Sequence, residues 1–180
     1  PVKQLQTALR LHGTAIAGLS FTDDGTVGGA VAVGSSGELS GKFGSVKKYV
    51  AQLEVVLDTG VILQTGRISK RELEKLKGMS GREGDIYRGI DGVLEEYSEV
   101  ISAMKNDSAL DRSGYPGIAE VQGKGGSFDL TPLFIGAQGT LGVIVEMIMK
   151  AEFMPKNIPR VAALFPTSEQ ALDAIDELVK

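Results

Sequence analysis

The sequence predicts an α+β domain that combines a β-hairpin, a further strand and several amphipathic helices. The hairpin signal is residues 53–66, LEVVLDTGVILQTG, where two β-branched runs flank the turn residues Asp58-Thr59-Gly60. Residues 69–78 carry helix-capping residues, and residues 85–104 carry apolar positions that recur every three or four residues. Together, these patterns favour a mixed packed domain over an all-helical or all-β one.

The chain opens with a helix and then becomes rich in glycine. Residues 3–12, KQLQTALRLH, place Leu5 and Leu9 on one helical face, and Gly13 follows as a natural C-terminal stop. Residues 23–44 contain small side chains and many of the 24 glycines, so they cannot form a core alone. Their position beside well-patterned segments predicts shaped loops on a packed scaffold.

Two helices are expected after the hairpin. Ser69 and Glu72 have the spacing of a capping box, and Gly78 marks the end of that helix. The second helix spans residues 85–104, with one apolar stripe formed by Ile86, Ile90, Val93, Leu94, Tyr97, Ile101 and Met104.

The last third of the chain contains one strand and a second unit. Residues 105–117 form a polar loop, and 141–149 form a buried strand. Residues 155–160, PKNIPR, have the composition of a linker, and the remainder predicts a β-α unit. Either Thr167 or Ser168 is the N-cap of its helix.

Composition excludes several classes of function. With 42% hydrophobic and 23% charged residues, the 180-residue chain is an ordinary globular protein of one domain, or of one domain and part of another. A net charge of −4 without a basic patch argues against nucleic-acid binding. No apolar run reaches the roughly 18 to 20 residues of a membrane span. The absence of cysteine suits a reducing cytoplasm, so we expect a cytoplasmic protein.

The residues that could carry catalysis have simpler structural roles. His12, the only histidine, sits in the last turn of a predicted helix, where an imidazole commonly interacts with free carbonyl groups. Asp23 and Asp24 are adjacent and favour a turn. No His, Asp and Glu cluster has metal-ligand spacing, so no metal site is expected.

The segment TVGGAVAVGSSG, residues 26–37, exposes consecutive backbone N–H groups that can line an anion or a flat ring. It is neither a Walker A loop nor a Rossmann fingerprint, because the required spacing is absent. Considered alone, it fits a tight connection and a ligand cradle equally well. A second glycine cluster, FIGAQGTLG at residues 134–142, precedes the predicted strand and suggests a turn shaped around another backbone or a ligand.

Three segments in order resemble the FAD-binding domain of the PCMH-type, vanillyl-alcohol oxidase-like family of FAD-linked oxidases and dehydrogenases. They are TVGGAVAVGSSG, then GKFGSVKKYVAQLEVVLDTGVILQTG, then FDLTPLFIGAQGTLGVI. The family includes glycolate and D-lactate dehydrogenases. The resemblance implies an enzyme that uses FAD to oxidise a small substrate, such as a 2-hydroxy acid, by hydride transfer to the flavin.

The resemblance also implies which residues hold FAD. In the family, matching segments approach the cofactor through their backbone, which needs small side chains. The implied cofactor-binding residues are Thr26, Val27, Gly28, Gly29, Ala32, Val33, Gly34, Ser35, Gly142, Val143 and Ile144. No catalytic residue can be named.

Departures from the family pattern accompany these matches. Ala137-Gln138 replaces the usual Ser-Glu, and Ser35-Ser36 replaces Ala-Gly. The resemblance implies that residues 1–153 are the second FAD-binding subdomain, with a helical insertion at about 67–113, and that 154–180 begin the substrate-binding domain. It provides no counterpart of the first subdomain, so we expect uncovered apolar surface, self-association and an inactive chain.

Two other functions remain open from the sequence. One is an α+β interaction module that binds no flavin and works through protein contacts. The other is a flavoenzyme similar to UDP-N-acetylenolpyruvoylglucosamine reductase, against which the turn FIGAQGTLG argues. Bound oxidised flavin, which is yellow, would distinguish the module from the flavoenzymes.

Overall fold

The structure, a computed structural model, describes residues 1–19, 25–106, 114–154 and 161–179. The Asp23-Asp24 turn and the linker at 155–160 lie outside the described residues. The remaining elements form a mixed α and antiparallel β fold, as the sequence predicts.

The central sheet has three antiparallel strands in the order β3-β2-β6. These are β2 (Val50–Val56), β3 (Ile62–Gln64) and β6 (Val143–Met149). The hairpin prediction is confirmed: Val56 pairs with Ile62, and Gly60 adopts a φ of +78° in the turn between them. β6 pairs along the other side of β2 with two irregularities, so β2 is the middle strand.

Two short strand pairs flank this sheet. β1 (Thr14–Ala15) pairs with β7 (Glu152–Phe153), and β4 (Arg67–Ile68) pairs with β5 (Phe128–Asp129). Neither pair was predictable from the sequence, because two-residue strands are too short to show an apolar alternation.

The helices are α1 (Val2–Leu11), α2 (Val27–Ala32), α3 (Ser40–Phe43), α4 (Lys70–Lys77), α5 (Arg82–Glu96), α6 (Ser98–Asn106), α7 (Ile118–Val121), α8 (Thr131–Phe134) and α9 (Ser168–Val179). Helices lie at the positions predicted for 3–12 and 69–78 and in the last unit, whereas α2, α3, α7 and α8 were not predicted. Short 3₁₀ turns occupy Val46–Tyr49 and Lys124–Gly126. Both backbone and side-chain bonds of the predicted capping box are present, with Ser69 as N-cap of α4.

Three predictions about these elements are wrong. The helix predicted over 85–104 is two helices separated at Tyr97, where φ is −106° and ψ is 24°. The strand predicted to be buried at 141–149 is an edge strand with alternating exposed positions. Among the described residues, β6 pairs only with β2, so its other edge is open. One face of β6 carries Ile144, Met147 and Met149, which pack against the core, whereas Val143, Val145 and Ile148 are exposed. The described part of the last unit forms α9 without the expected strand; the Thr167 hydroxyl accepts from Gln170 N, so Thr167 is its N-cap.

The core lies between the inner face of the sheet and the helices. Its largest fully buried side chains include Tyr49, Leu53, Leu63, Phe128 and Leu130. Burial raises the pKa of Tyr49 to about 12, and its hydroxyl lies 3.1 Å from Glu152 Oε2.

A buried pair of hydroxyl groups joins the hairpin to α8. Thr65 Oγ1 lies 2.8 Å from Thr131 Oγ1 and also accepts a hydrogen bond from Leu53 N. Because α8 ends at Phe134, this pair fixes the start of the second glycine-rich segment.

Candidate functional site

The first glycine-rich segment is a short helix and the turn that follows it. Thr26 is the N-cap, and its hydroxyl accepts a hydrogen bond from Gly29 N at 3.0 Å. The helix ends after Ala32, and Gly34 closes the turn with a φ of +64°. The expected loop at 26–29 is therefore the N-cap and first turn of α2, a difference that leaves its small side chains on the surface of the domain.

The second glycine-rich segment, residues 134–142, is a succession of tight turns. Gly136, Gly139 and Gly142 all have positive φ, and so does Gln138, at +54°. Gln138 is the only non-glycine residue with positive φ among the residues that the structure describes. A side chain in this conformation carries backbone strain, which tends to persist where the surrounding structure requires it.

The fold brings the two segments together. Gly136 N donates to Val31 O at 3.2 Å, and Gln138 N donates to Ala32 O at 2.8 Å. A Cβ atom on Gly34 would lie 3.4 Å from Gly136 Cα, so the two backbones are in van der Waals contact. These contacts join the C-terminal end of α2 and the turn at Gly34 to the second glycine-rich segment.

Gly28 borders open space in the first turn of α2. A Cβ atom at Gly28 would meet only the Met147 methyl group, at 4.0 Å. At Gly29 it would lie 2.9 Å from Thr26 Oγ1, so a larger residue there would disturb the N-cap. The space beside Gly28 is therefore not filled by other atoms of the described residues, and close packing does not explain why this position is a glycine.

The predicted site residues at the start of β6 divide into different environments. A Cβ atom on Gly142 would lie 2.6 Å from Val55 Cγ1 and 2.8 Å from Val56 O, so this glycine permits close packing on β2. Val143 is 63% exposed, whereas Ile144 is half-buried against the core. The close approach of Gly142 to β2 therefore explains why this position is a glycine, and the explanation requires no ligand.

Two hydroxyl groups follow Gly34 and lack partners. Ser35 Oγ and Ser36 Oγ are buried and make no hydrogen bond to any of the described residues. Buried polar atoms usually have a partner, so such a pair beside a surface of main chain fits a polar ligand. FAD offers many oxygen and nitrogen acceptors, and the residues present are compatible with it.

The titratable groups away from these segments have structural positions in the part of the chain that the structure describes. His12 is the exposed C-cap of α1, as its position at a helix end predicts. Within the described ranges, no three His, Asp or Glu side chains are grouped to hold a metal ion. Lys48 lowers the pKa of Glu152 through a contact of 3.0 Å, and this pair fastens β7 to the 3₁₀ turn before β2.

Four residues in or next to the two glycine-rich segments were not predicted as cofactor-binding residues, although Gln138 and Ser36 were noted as departures from the family pattern. Gln138 and Gly136 supply the backbone contacts to α2, Met147 borders Gly28, and Ser36 carries an unpartnered hydroxyl. The glycine spacing at 136–142 indicated a shaped turn, but the identity of its neighbour depends on tertiary pairing.

Known proteins with similar sequences identify the family of this chain. A family model described as an FAD binding domain matches residues 1–66. D-2-hydroxyglutarate dehydrogenase of Pseudomonas putida is 33% identical over 154 residues, which are 85% of this chain and 15% of that protein. The chain belongs to the family of FAD-linked oxidases and dehydrogenases. The cofactor of this family is FAD.

Other members of the FAD-linked oxidase and dehydrogenase family extend the match. The glycolate oxidase subunit GlcD of Bacillus subtilis is 27% identical over 86% of this chain and 22% of its own length. D-lactate dehydrogenase of Archaeoglobus fulgidus is 23% identical over 99% of this chain and 29% of its own length. The chain thus spans less than a third of each of these relatives. Among the described residues, no helix has the length and apolar character needed to cross a membrane.

Proposed function

We propose that this chain is the FAD-holding part of an oxidoreductase that oxidises a small 2-hydroxy acid. The relatives named above act, by their names, on 2-hydroxyglutarate, glycolate and lactate, which are all 2-hydroxy acids. When bound, FAD supplies the redox chemistry by accepting a hydride from the substrate carbon. The chain's own residues supply position and a shaped surface.

The observation that carries this proposal is the contact between the two glycine-rich segments. Segments at about 26–37 and 134–142 are far apart in sequence, yet two backbone hydrogen bonds join them beside the open space at Gly28. A plain tight connection would explain either segment alone. It does not explain why both present main chain to the same surface.

We assign the cofactor contacts to the backbone of the first segment and to the start of β6. Thr26 to Gly29 and Ala32 to Ser35 would lie along FAD, where Gly28 leaves space for it. Gly142, Val143 and Ile144 would approach its adenine end through their main chain. None of these residues is proposed as catalytic, because none offers a group that could move a proton at the substrate.

We further propose that residues 1–153 form the second subdomain of a PCMH-type FAD-binding domain and that 154–180 begin the substrate-binding domain. The exposed apolar face of α9 supports this division. Leu172, Ile175 and Leu178 are 62%, 54% and 86% exposed at helical spacing. An amphipathic helix with an uncovered apolar stripe normally packs against another element.

Gly28→Val tests the cofactor surface directly. The structure has room for the side chain, so the variant should fold, while the two methyl groups fill the space assigned to FAD. We expect at least about a tenfold loss of FAD affinity, measured by flavin fluorescence, because blocked space removes contacts outright.

Gly89→Val is the matched control. Gly89 also lies within a helix and has no neighbouring atom within 4 Å of its Cβ position, but it belongs to α5. The two variants share the cost of a β-branched residue in a helix. Equal FAD affinity in Gly28→Val and Gly89→Val would show that the assigned surface does not hold the cofactor.

A further inference from the structure

We propose that the side-chain hydroxyls of Ser35 and Ser36 hydrogen-bond FAD directly, so that binding relieves two unsatisfied groups of the free protein. This inference rests on the proposed function, since it names side chains that act on the same cofactor. The proposed function assigns only main-chain contacts with FAD, whereas this inference concerns side chains. Ser36 is also not among the residues assigned those main-chain contacts.

The two hydroxyls differ from the other hydroxyls of the same segment. Thr26 Oγ1 accepts from Gly29 N, and Ser40 Oγ accepts from Gly37 N at 2.8 Å. Each of those groups holds a turn in place. Ser35 Oγ and Ser36 Oγ are buried and have no hydrogen-bond partner among the described residues.

The local fold does not need either hydroxyl. Ser35 N donates to Ala30 O at 2.9 Å, and Ser35 O accepts from Val46 N at 3.1 Å. The main chain of Ser35 is therefore fixed by backbone bonds alone. An alanine at this position would keep both bonds, which leaves the side-chain oxygen without a structural purpose.

The position of the pair suits a ligand on the joined glycine surface. Gly34 precedes Ser35 and contacts Gly136 of the second glycine-rich segment. Both serines are half-buried, although their oxygen atoms are covered. Rotation about a single χ1 bond moves a serine hydroxyl to another staggered position, where it can donate to an acceptor on the ligand.

The chemistry favours an uncharged donor pair on this protein. The chain has a net charge of −4, and FAD carries an anionic pyrophosphate. A hydroxyl donates a hydrogen bond to a phosphate, hydroxyl or ring acceptor without requiring a change of charge. Burial strengthens such bonds and makes an unpartnered group costly, so the free and bound states differ in stability.

The experiment uses the double variant Ser35→Ala/Ser36→Ala of the 180-residue chain. Without FAD, its melting temperature should rise, because two unsatisfied buried groups are removed. Its FAD affinity, from fluorescence or calorimetric titration, should fall by about tenfold to a hundredfold, since each lost bond contributes about tenfold. The signs of the two effects are opposite, which a merely structural role does not produce.

Ser40→Ala is the control. Its hydroxyl has a partner in the free protein, so this substitution should lower the melting temperature without FAD. The inference is overturned if the double variant melts at a lower temperature than the unsubstituted chain, or if its FAD affinity stays within about twofold of that chain. Failure of the unsubstituted chain to bind FAD at about 1 mM would instead contradict the proposed function, and the inference with it.

Discussion

Replacing Gly142 by alanine should destabilise the domain more than replacing the neighbouring Gly139. Both glycines have positive φ, +155° and +80°, in the turn that leads to β6. Only Gly142 is also packed tightly, because a Cβ atom there would overlap Val55 Cγ1 at 2.6 Å and Val56 O at 2.8 Å. Gly139 has no atom within 4 Å of its Cβ position.

The expected cost at Gly142 is the sum of two effects. A Cβ overlap with backbone cannot be relieved by a side-chain movement, and overpacking costs about 1–3 kcal/mol. A conformation that is essentially restricted to glycine adds about 1–3 kcal/mol. Alanine recovers about 0.4–1 kcal/mol through the lower entropy of the unfolded chain. The free energy of unfolding should therefore fall by about 2–5 kcal/mol.

Urea denaturation of the two variants measures this difference. Gly139→Ala lacks the overlap, so its cost should be limited to about 1–2 kcal/mol of backbone conformation. Far-UV circular dichroism gives the midpoint and slope for both variants and for the unsubstituted chain. If Gly142→Ala and Gly139→Ala have the same urea midpoint, the prediction is wrong, because the close packing of Gly142 on β2 would then not contribute to the free energy of unfolding.

Two further predictions concern the helical part of the fold. Leu94 is 6% exposed, so Leu94→Ala should lower stability by about 2–5 kcal/mol and reduce the melting temperature. The same truncation at Val93, which is 40% exposed, should have a much smaller effect, and equal effects would contradict the packing of α5. Hydrogen bonds from Ser69 hold the pKa of Glu72 below its usual value of 4.5, so Glu72 stabilises the folded state above that pH. The stability advantage over Glu72→Gln should therefore disappear as the pH falls through the lowered pKa, and thermal melts at pH 7 and pH 3 would reveal a pH-independent difference if this reasoning is wrong.

The sequence predicted the elements whose causes are local. Gly60 follows a two-residue turn signal and adopts positive φ between β2 and β3. Ser69 and Glu72 form both reciprocal bonds of the capping box that their spacing predicts. In each case, the interaction lies within a few residues, so the pattern contains the information that decides the structure.

The sequence failed where tertiary contacts or neighbouring elements decide the outcome. The apolar residues of β6 predict burial, but β6 lies at the edge of the sheet and Val143 is exposed. The apolar stripe across Tyr97 predicts one helix, yet the backbone leaves helical geometry there, and the stripe is shared by two helices. Periodicity identifies which side chains are apolar without identifying what covers them.

The candidate site was predictable only as two separate segments. Thr26 has the residue type of an N-cap, but its glycine-rich segment was predicted to be a loop, and glycine is a poor helix former. The resemblance to a family placed both segments near one cofactor. Their contact through Ala32 and Gln138 became visible only in the fold, since backbone hydrogen bonds carry no side-chain signature. The assignments of individual cofactor contacts, subdomain boundaries, location in the cytoplasm and self-association stay predictions.

The joining of Ala32 to Gln138 also affects when this surface can form during folding. The two residues are separated by about one hundred positions in the chain, so their hydrogen bond closes a very long loop. The helix at Val27–Ala32 and the hairpin can form from near neighbours, whereas the pairing of β2 with β6 brings the ends of this loop together. During synthesis, a ribosome must therefore release residues beyond Gln138 before any cofactor can encounter the joined surface.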